Sequence, residues 1–183
     1  ATRVAVIFRM AYLQNVDQKR NIELFLALQS PSMPQLTTIS ISNSNPLLYM
    51  IVSDFKALVP YFKSIMLLEM AGGPLKTILF TAWLRGYEGS ENLLNQALSA
   101  NISGMEDVYR QAVEALKIDK FKYKSYEFIM RCLEYDDKEL GEIVDNYLHT
   151  AVENLKDNKT DVDYFVDKFI ASKVSVYQRR ELY

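Results

Sequence analysis

Apolar and polar positions alternate with period two early in the chain and recur at helical spacing later. Ile22, Leu24, Leu26 and Leu28 alternate with Glu23, Phe25 and Ala27, the pattern of a strand with one face against a core. Thr38-Ile39-Ser40-Ile41-Ser42 is a second alternation, rich in β-branched residues, and Val4–Tyr12 is a third, apolar enough to be central. Gln14–Asn21 reads as a polar turn, and Ser30-Pro31-Ser32-Met33-Pro34 as a proline-punctuated loop. Leu47–Val52, entered through Asn45-Pro46, supplies a fourth strand.

After Ser53 the period changes. Ser53-Asp54 is a helix entry, with Phe55, Leu58, Val59 and Phe62 at helical spacing. Pro60 interrupts that pattern, because an interior proline costs about 3 kcal/mol. Two short helices are therefore expected, the second running from Pro60 to Gly72-Gly73. Thr77–Leu84 fits a buried strand or a short helix, and helix is preferred. Ser90 can cap Glu91–Leu98, and Ser103-Gly104-Met105-Glu106 has capping-box spacing ahead of Val108, Ala112 and Ala115. Phe121–Glu134 makes a further helix.

The clearest pattern comes last. Asp136-Asp137-Lys138-Glu139 opens a helix striped by Leu140, Val144, Tyr147, Ala151 and Leu155. Lys156–Lys159 breaks it, and Thr160-Asp161-Val162-Asp163 caps another with Val162, Phe165, Val166, Phe169, Val176 and Tyr177 on one side. Two helices of about twenty residues, each ~30 Å long, form an antiparallel hairpin. The expected fold is α+β: a small N-terminal antiparallel β-sheet with short helices, then a mainly helical region ending in that hairpin. The corresponding division is an α+β domain at 1–100, with strands mainly within 3–52, and a helical region at 101–183 with the hairpin at 137–183. No internal sequence repeat is visible.

Composition narrows the chemistry. One histidine, one cysteine and six glycines in 183 residues leave little for nucleophilic triads, soft metal sites or phosphate-cradling turns. An apolar fraction of 49% suffices for a sizeable core. A net charge of −2 gives no global pull toward nucleic acid or anionic membrane. Residues 103–183 carry thirteen basic and seventeen acidic groups, which suits exposed helices of mixed charge. A lone cysteine forms no internal disulfide, no apolar run approaches the ~20 residues of a membrane span, and no signal peptide is visible. An intracellular protein, cytoplasmic or nuclear, is expected. The apolar start and the uncapped Glu181-Leu182-Tyr183 end suggest a piece of a longer chain. Asn101-Ile102-Ser103 and Asn158-Lys159-Thr160 match the glycosylation triplet, which means little without secretion.

Individual residues mostly read as structural. His149 lies off its helix's apolar stripe, with Asp145 one turn earlier, as a flank histidine. Asp136, Asp137, Glu139, Glu142 and Asp145 suit capping and the helix dipole better than a cation, which needs six or more converging oxygens. Cys132, beside Met130 and Leu133, reads as a buried thiol, and Trp83 as core. Lys117, Lys120, Lys122 and Lys124, interleaved with Phe121, Tyr123 and Tyr126, form the best nucleic-acid candidate, yet Asp119 and Glu127 flank them. No cofactor or metal is expected. Tyr164, Phe165, Phe169 and Tyr177, with Arg179 and Arg180, are either the hairpin's own core or a protein interface, whose typical composition they match.

The stretch Asp163-Tyr164-Phe165-Val166-Asp167-Lys168-Phe169 through Lys173, Tyr177 and Arg179-Arg180 resembles the last helix of Mod(r)-domain subunits of the endosomal sorting machinery. The resemblance implies an assembly subunit; the strand-like first hundred residues depart from that family's helical plan. The functional expectation is a non-enzymatic interaction module, an adaptor or scaffold subunit whose hairpin docks another protein or a second copy. A nucleic-acid-associated factor using Lys117, Lys120, Lys122, Tyr123 and Lys124 is the alternative. An enzyme built from carboxylates alone ranks third.

Overall fold

The computed structural model describes residues 6, 9–10, 16–28, 44–67, 73–100, 104–134 and 137–172. Among them there are eight helices and no strand: α1 (Gln18–Leu28), α2 (Ser44–Leu67), α3 (Gly73–Leu84), α4 (Ser90–Ala100), α5 (Met105–Ala115), α6 (Asp119–Cys132), α7 (Lys138–Leu155) and α8 (Lys159–Ala171). The expected α+β fold with an N-terminal sheet is therefore wrong. Two compact units divide the chain, Ala1–Asn101 and Ile102–Tyr183.

The error at Ile22–Leu28 has a local cause. The Asp17 carboxylate accepts from Arg20 N at 2.9 Å, so the polar turn is a helix N-cap. Ile22 is the one β-branched residue in α1; the rest of QKRNIELFLAL is largely made of good helix formers. Burial follows period 3.6 rather than period two: Ile22 and Phe25 face inward with Asn21, whereas Leu24 is exposed. Leu47–Val52 is likewise helical, with Leu47, Met50 and Ile51 buried on one stripe of α2. Thr38–Ser42 lies outside the described residues, as does most of Val4–Tyr12, of which residues 6, 9 and 10 are helical.

α2 is two helices joined at Asp54 (φ −156°, ψ 84°). The Asp54 carboxylate accepts from Ala57 N at 3.0 Å, capping the second half and making Ser53-Asp54 the helix entry that the sequence suggests. Pro60 does not begin a helix; it lies inside this one, exposed, where water can solvate a carbonyl its ring leaves without a donor. Phe55, Leu58, Tyr61 and Phe62 continue the inward stripe. Phe25 meets Tyr61 edge-on at 4.9 Å, and Phe55 stacks on Tyr87 at 5.7 Å.

α3 resolves the ambiguity of Thr77–Leu84 in favour of helix. It buries residues on every side, as a helix at the centre of its unit must. A Schellman turn ends it: Gly86 N donates to Trp83 O and Tyr87 N to Ala82 O, with Gly86 at φ 76°. α2 packs against α1, α3 and α4, and α3 against α4. Ser90 starts α4, but its hydroxyl donates back to the Tyr87 carbonyl rather than capping the helix.

In the C-terminal unit α5 packs against both α6 and α7, and α7 against α8. Val108, Tyr109, Ala112, Val113 and Ala115 of α5 are buried. Gly104 is its N-cap and supplies no side chain; Ser103 of the expected capping box lies outside the described residues. The hairpin is present, with α7 at 18 residues and α8 at 13, so ~27 Å and ~20 Å. Asp137 caps α7. Asn158, rather than Thr160-Asp161, caps α8.

Two buried polar features carry energetic consequences. The hydroxyls of Tyr109 and Ser125 are buried without a hydrogen-bond partner. Burial, and then the nearby Cys132 thiol, push the Tyr109 phenol well above its usual range. An unsatisfied buried hydroxyl forfeits about 1–3 kcal/mol. Tyr109→Phe and Ser125→Ala should each therefore stabilise the C-terminal unit by roughly 1 kcal/mol, read as a higher urea midpoint by circular dichroism.

Lys76 is fully buried on α3, and burial pulls its ammonium from 10.5 down to about 8. Between those values the folded chain binds fewer protons there than the unfolded chain, so stability rises with pH. Burial holds the Cys132 thiol at about 12 instead of 9.0; the unfolded thiol ionises first, and the C-terminal unit loses stability above pH 9. Trp83, the one tryptophan, reports the N-terminal unit. Its fluorescence midpoint in urea should rise from about pH 8 to about pH 9.5, and Lys76→Met should remove that slope.

Candidate functional site

Among the described residues, a concavity with chemistry lies between α5 and α7. It is a cleft of about 410 Å³ lined by Gly104, Met105, Glu106, Asp107, Glu139, Glu142, Ile143 and Asn146. α5 and α7 run in the same direction: the Tyr147 hydroxyl, midway along α7, donates to Glu106 Oε1 at the start of α5 at 3.3 Å, and Asn154 Nδ2 donates to Val113 O at 2.8 Å further along both. In that register the first turn of α5 lies beside Tyr147, in the third turn of α7, and the cleft takes in the two turns of α7 before it. The first turn of an α-helix favours acids, because its free N–H groups carry partial positive charge. Glu106 and Asp107 occupy that turn of α5, and Glu139 that of α7. The result is a groove walled by four carboxylates, with Met105 and Ile143 buried at its base.

The carboxylates are exposed and partly engaged. Asp107 pairs with Arg110 at 2.9 Å, and Glu142 with Lys138 at 3.7 Å. Tyr147 is held above its usual phenol range by burial first, then by the charge of Glu106 and the hydrogen bond to it, with Arg110 opposing. No basic residue lines the cleft. Among the described residues no group of three His, Cys, Asp or Glu side chains could hold a metal ion. No helix among them is long and apolar enough to cross a membrane.

The aromatic candidates of the hairpin separate. Phe165 is fully buried, the one buried residue of α8, and therefore belongs to the core of its own unit. Phe169 is half-buried. Tyr164 is 50% exposed, with Lys168 Nζ 5.5 Å from its ring centroid. Tyr177, Arg179 and Arg180 lie outside the described residues.

The lysine stretch does not form one basic face. α6 begins at Asp119, which at 100° per residue puts Lys120 and Lys124 on one face, a turn apart, and Lys122 on the opposite side. Lys117, in the preceding turn, pairs with Glu114 at 2.9 Å. Lys122 reaches Asp161 of α8 at 3.8 Å, and Lys120 sits 5.6 Å from the Phe121 ring centroid. Tyr123 is 81% exposed. The Tyr126 hydroxyl donates to the Asp161 carbonyl at 3.4 Å, and burial raises its phenol to about 12, helped by Asp161 and Tyr164. The lysine stretch and the start of α8 thus meet at one seam. His149 is exposed and Cys132 buried.

The cleft escapes sequence inspection because Glu106 and Glu139 are distant in the chain and each has a complete local explanation as a helix-start acid. The available signal is that two helices of one packed unit both begin with acids. Comparison with known proteins returns no match: no family profile, no curated protein and no solved structure resembles the chain.

One wall of the cleft rests on a cap. Asp137 Oδ1 accepts from Leu140 N at 2.9 Å. Asp137→Ala should destabilise the unit by about 1 kcal/mol, measured as a lower thermal midpoint, with Asp137→Asn close to wild type.

Proposed function

We propose that the chain is a non-enzymatic protein-interaction module, and that the groove between α5 and α7 receives a basic segment of a partner polypeptide. The observation that carries this reading is the lining itself: four acids from two helices over an apolar base, with no basic side chain in the lining and with Asp107 and Glu142 paired to Arg110 and Lys138 beside it. Lysine and arginine combine an aliphatic stem with a charged head. The stem suits Met105 and Ile143, and the head suits Glu106, Asp107, Glu139 and Glu142. The surface includes the first helix of the C-terminal hairpin, consistent with docking through that element.

The competing classes fit less well. Nucleic acid is repelled by such a groove, and of the lysines that would track phosphates Lys117 and Lys122 are paired with acids, while Lys120 and Lys124 share one face of α6. Carboxylate catalysis needs acids in environments that push their pKa values apart, whereas all four here face water. Exposed acids of this kind favour binding over turnover.

The test is fluorescence anisotropy with a short labelled peptide rich in lysine and arginine. Binding at low ionic strength should weaken as salt screens it. Glu139→Gln with Glu142→Gln should weaken it about 2- to 30-fold, the loss expected for two solvent-exposed ion pairs. Glu153→Gln, on α7 outside the cleft, should leave it unchanged. A peptide that does not bind, or binds the double variant equally, overturns the reading; retention of an oligonucleotide instead would favour the surface around Lys120, Tyr123 and Lys124.

A further inference from the structure

The turn between α5 and α6 and the turn between α7 and α8 are the same turn, forty residues apart. Leu116 (φ −59°, ψ −27°) corresponds to Lys156 (φ −51°, ψ −27°), and Ile118 (φ −105°, ψ 106°) to Asn158 (φ −126°, ψ 94°). Ile118 N donates to Ala115 O at 3.0 Å, and Asn158 N to Leu155 O at 2.8 Å. The next helix then opens with Lys122 N on Ile118 O at 2.9 Å and Val162 N on Asn158 O at 3.1 Å. Burial keeps the same step at three positions, Ala115 and Leu155, Ser125 and Phe165, Cys132 and Ser172, while Leu116 and Phe128 are buried and their counterparts Lys156 and Lys168 are exposed. The first helices pack on one another, and each packs on its own second helix.

We infer that the C-terminal unit is two copies of one helix–turn–helix module, stacked first helix on first helix, with the second copy built as an end cap. Stacked modules bury a continuous core only between neighbours, and a terminal module needs a polar outer face. The copies differ in that sense. α5 presents Tyr109 and Val113 to α7, where the Tyr109 ring lies 6.2 Å from that of Tyr147 and the Val113 carbonyl accepts from Asn154. Both residues are buried. Forty residues on stand His149 and Glu153, both exposed. A third hairpin laid on α7 would desolvate the Glu153 charge and the His149 ring with nothing to match them. That face of the module is closed to further stacking. The inference is independent of what the acidic groove binds.

The experiment is a lengthened full chain in which a second copy of residues 133–172 follows Ser172. His149→Tyr and Glu153→Val in the original copy restore the side chains that α5 uses. The substituted chain should unfold in one transition, at a higher midpoint than wild type, with helical ellipticity raised in proportion to the added residues. The unsubstituted lengthened chain should show the added copy melting separately at lower temperature. Identical behaviour of the two chains overturns the inference. Should the lengthened chains fail to fold, the wild-type length carrying His149→Tyr and Glu153→Val decides: greater concentration-dependent association than wild type in sedimentation velocity supports an opened stacking face, and an unchanged profile overturns it.

Discussion

Helices of eleven to fourteen residues do not hold themselves together in water, because nucleation is unfavourable and propagation gains little per residue. Every described helix except α2 and α7 is that short. Their persistence depends on burying a stripe against a neighbour, and in the C-terminal unit that neighbour is α5. It meets α6 along one side and α7 along another, which is why six of its eleven residues are buried. The unpartnered Tyr109 hydroxyl follows from the same placement: a large side chain is needed to fill the space among α5, α6 and α7, and its polar tip arrives where no acceptor stands.

The acidic groove is a by-product of that packing before it is anything else. Acids belong in the first turns of α5 and α7 for reasons internal to each helix. Packing of α7 against α5 then brings Glu139 and Glu142 to the same cleft as Glu106 and Asp107, and their charges add. Four like charges in one cleft are tolerated because they face water and because Arg110, Lys138 and Tyr147 take part of the load. A cation entering the cleft would relieve the remaining repulsion, which is the physical basis of the proposed basic partner.

The helices after Ser53 were legible from the sequence, and the strands expected at Ile22–Leu28 and Leu47–Val52 are helices for reasons that can be located. The stripe Leu140, Val144, Ala151, Leu155 is long, regular and capped, so local and tertiary preferences agree there. Ile22–Leu28 has apolar residues at nearly every position, so period two and period 3.6 both fit, and alternation alone cannot decide. The deciding signals were present but unused: Asp17 three residues before Arg20, a scarcity of β-branched residues in α1, and Gly86 after Leu84 as a helix stop. Pro60 misled in the opposite direction, since an exposed proline bends a helix more often than a break at that point would suggest, and Asp54 makes the actual break. Phe165 looked equally suited to a core and to an interface; only the position of α6 and α7 assigns it to the core.

The forty-residue module shows why absence of sequence repetition is a weak argument against structural repetition. Across the two copies side-chain identity is lost, yet turn dihedrals, turn hydrogen bonds and the buried pairs persist, because those are what stacking selects. Ile118 and Asn158 share a backbone conformation while only Asn158 caps with its side chain. Tyr109 against His149 and Val113 against Glu153 differ where the surroundings differ, one pair covered by the next helix and the other by solvent. Divergence between copies therefore follows burial: a residue is free to become polar where the next module is missing, and the polarity of that face in turn keeps another from settling there.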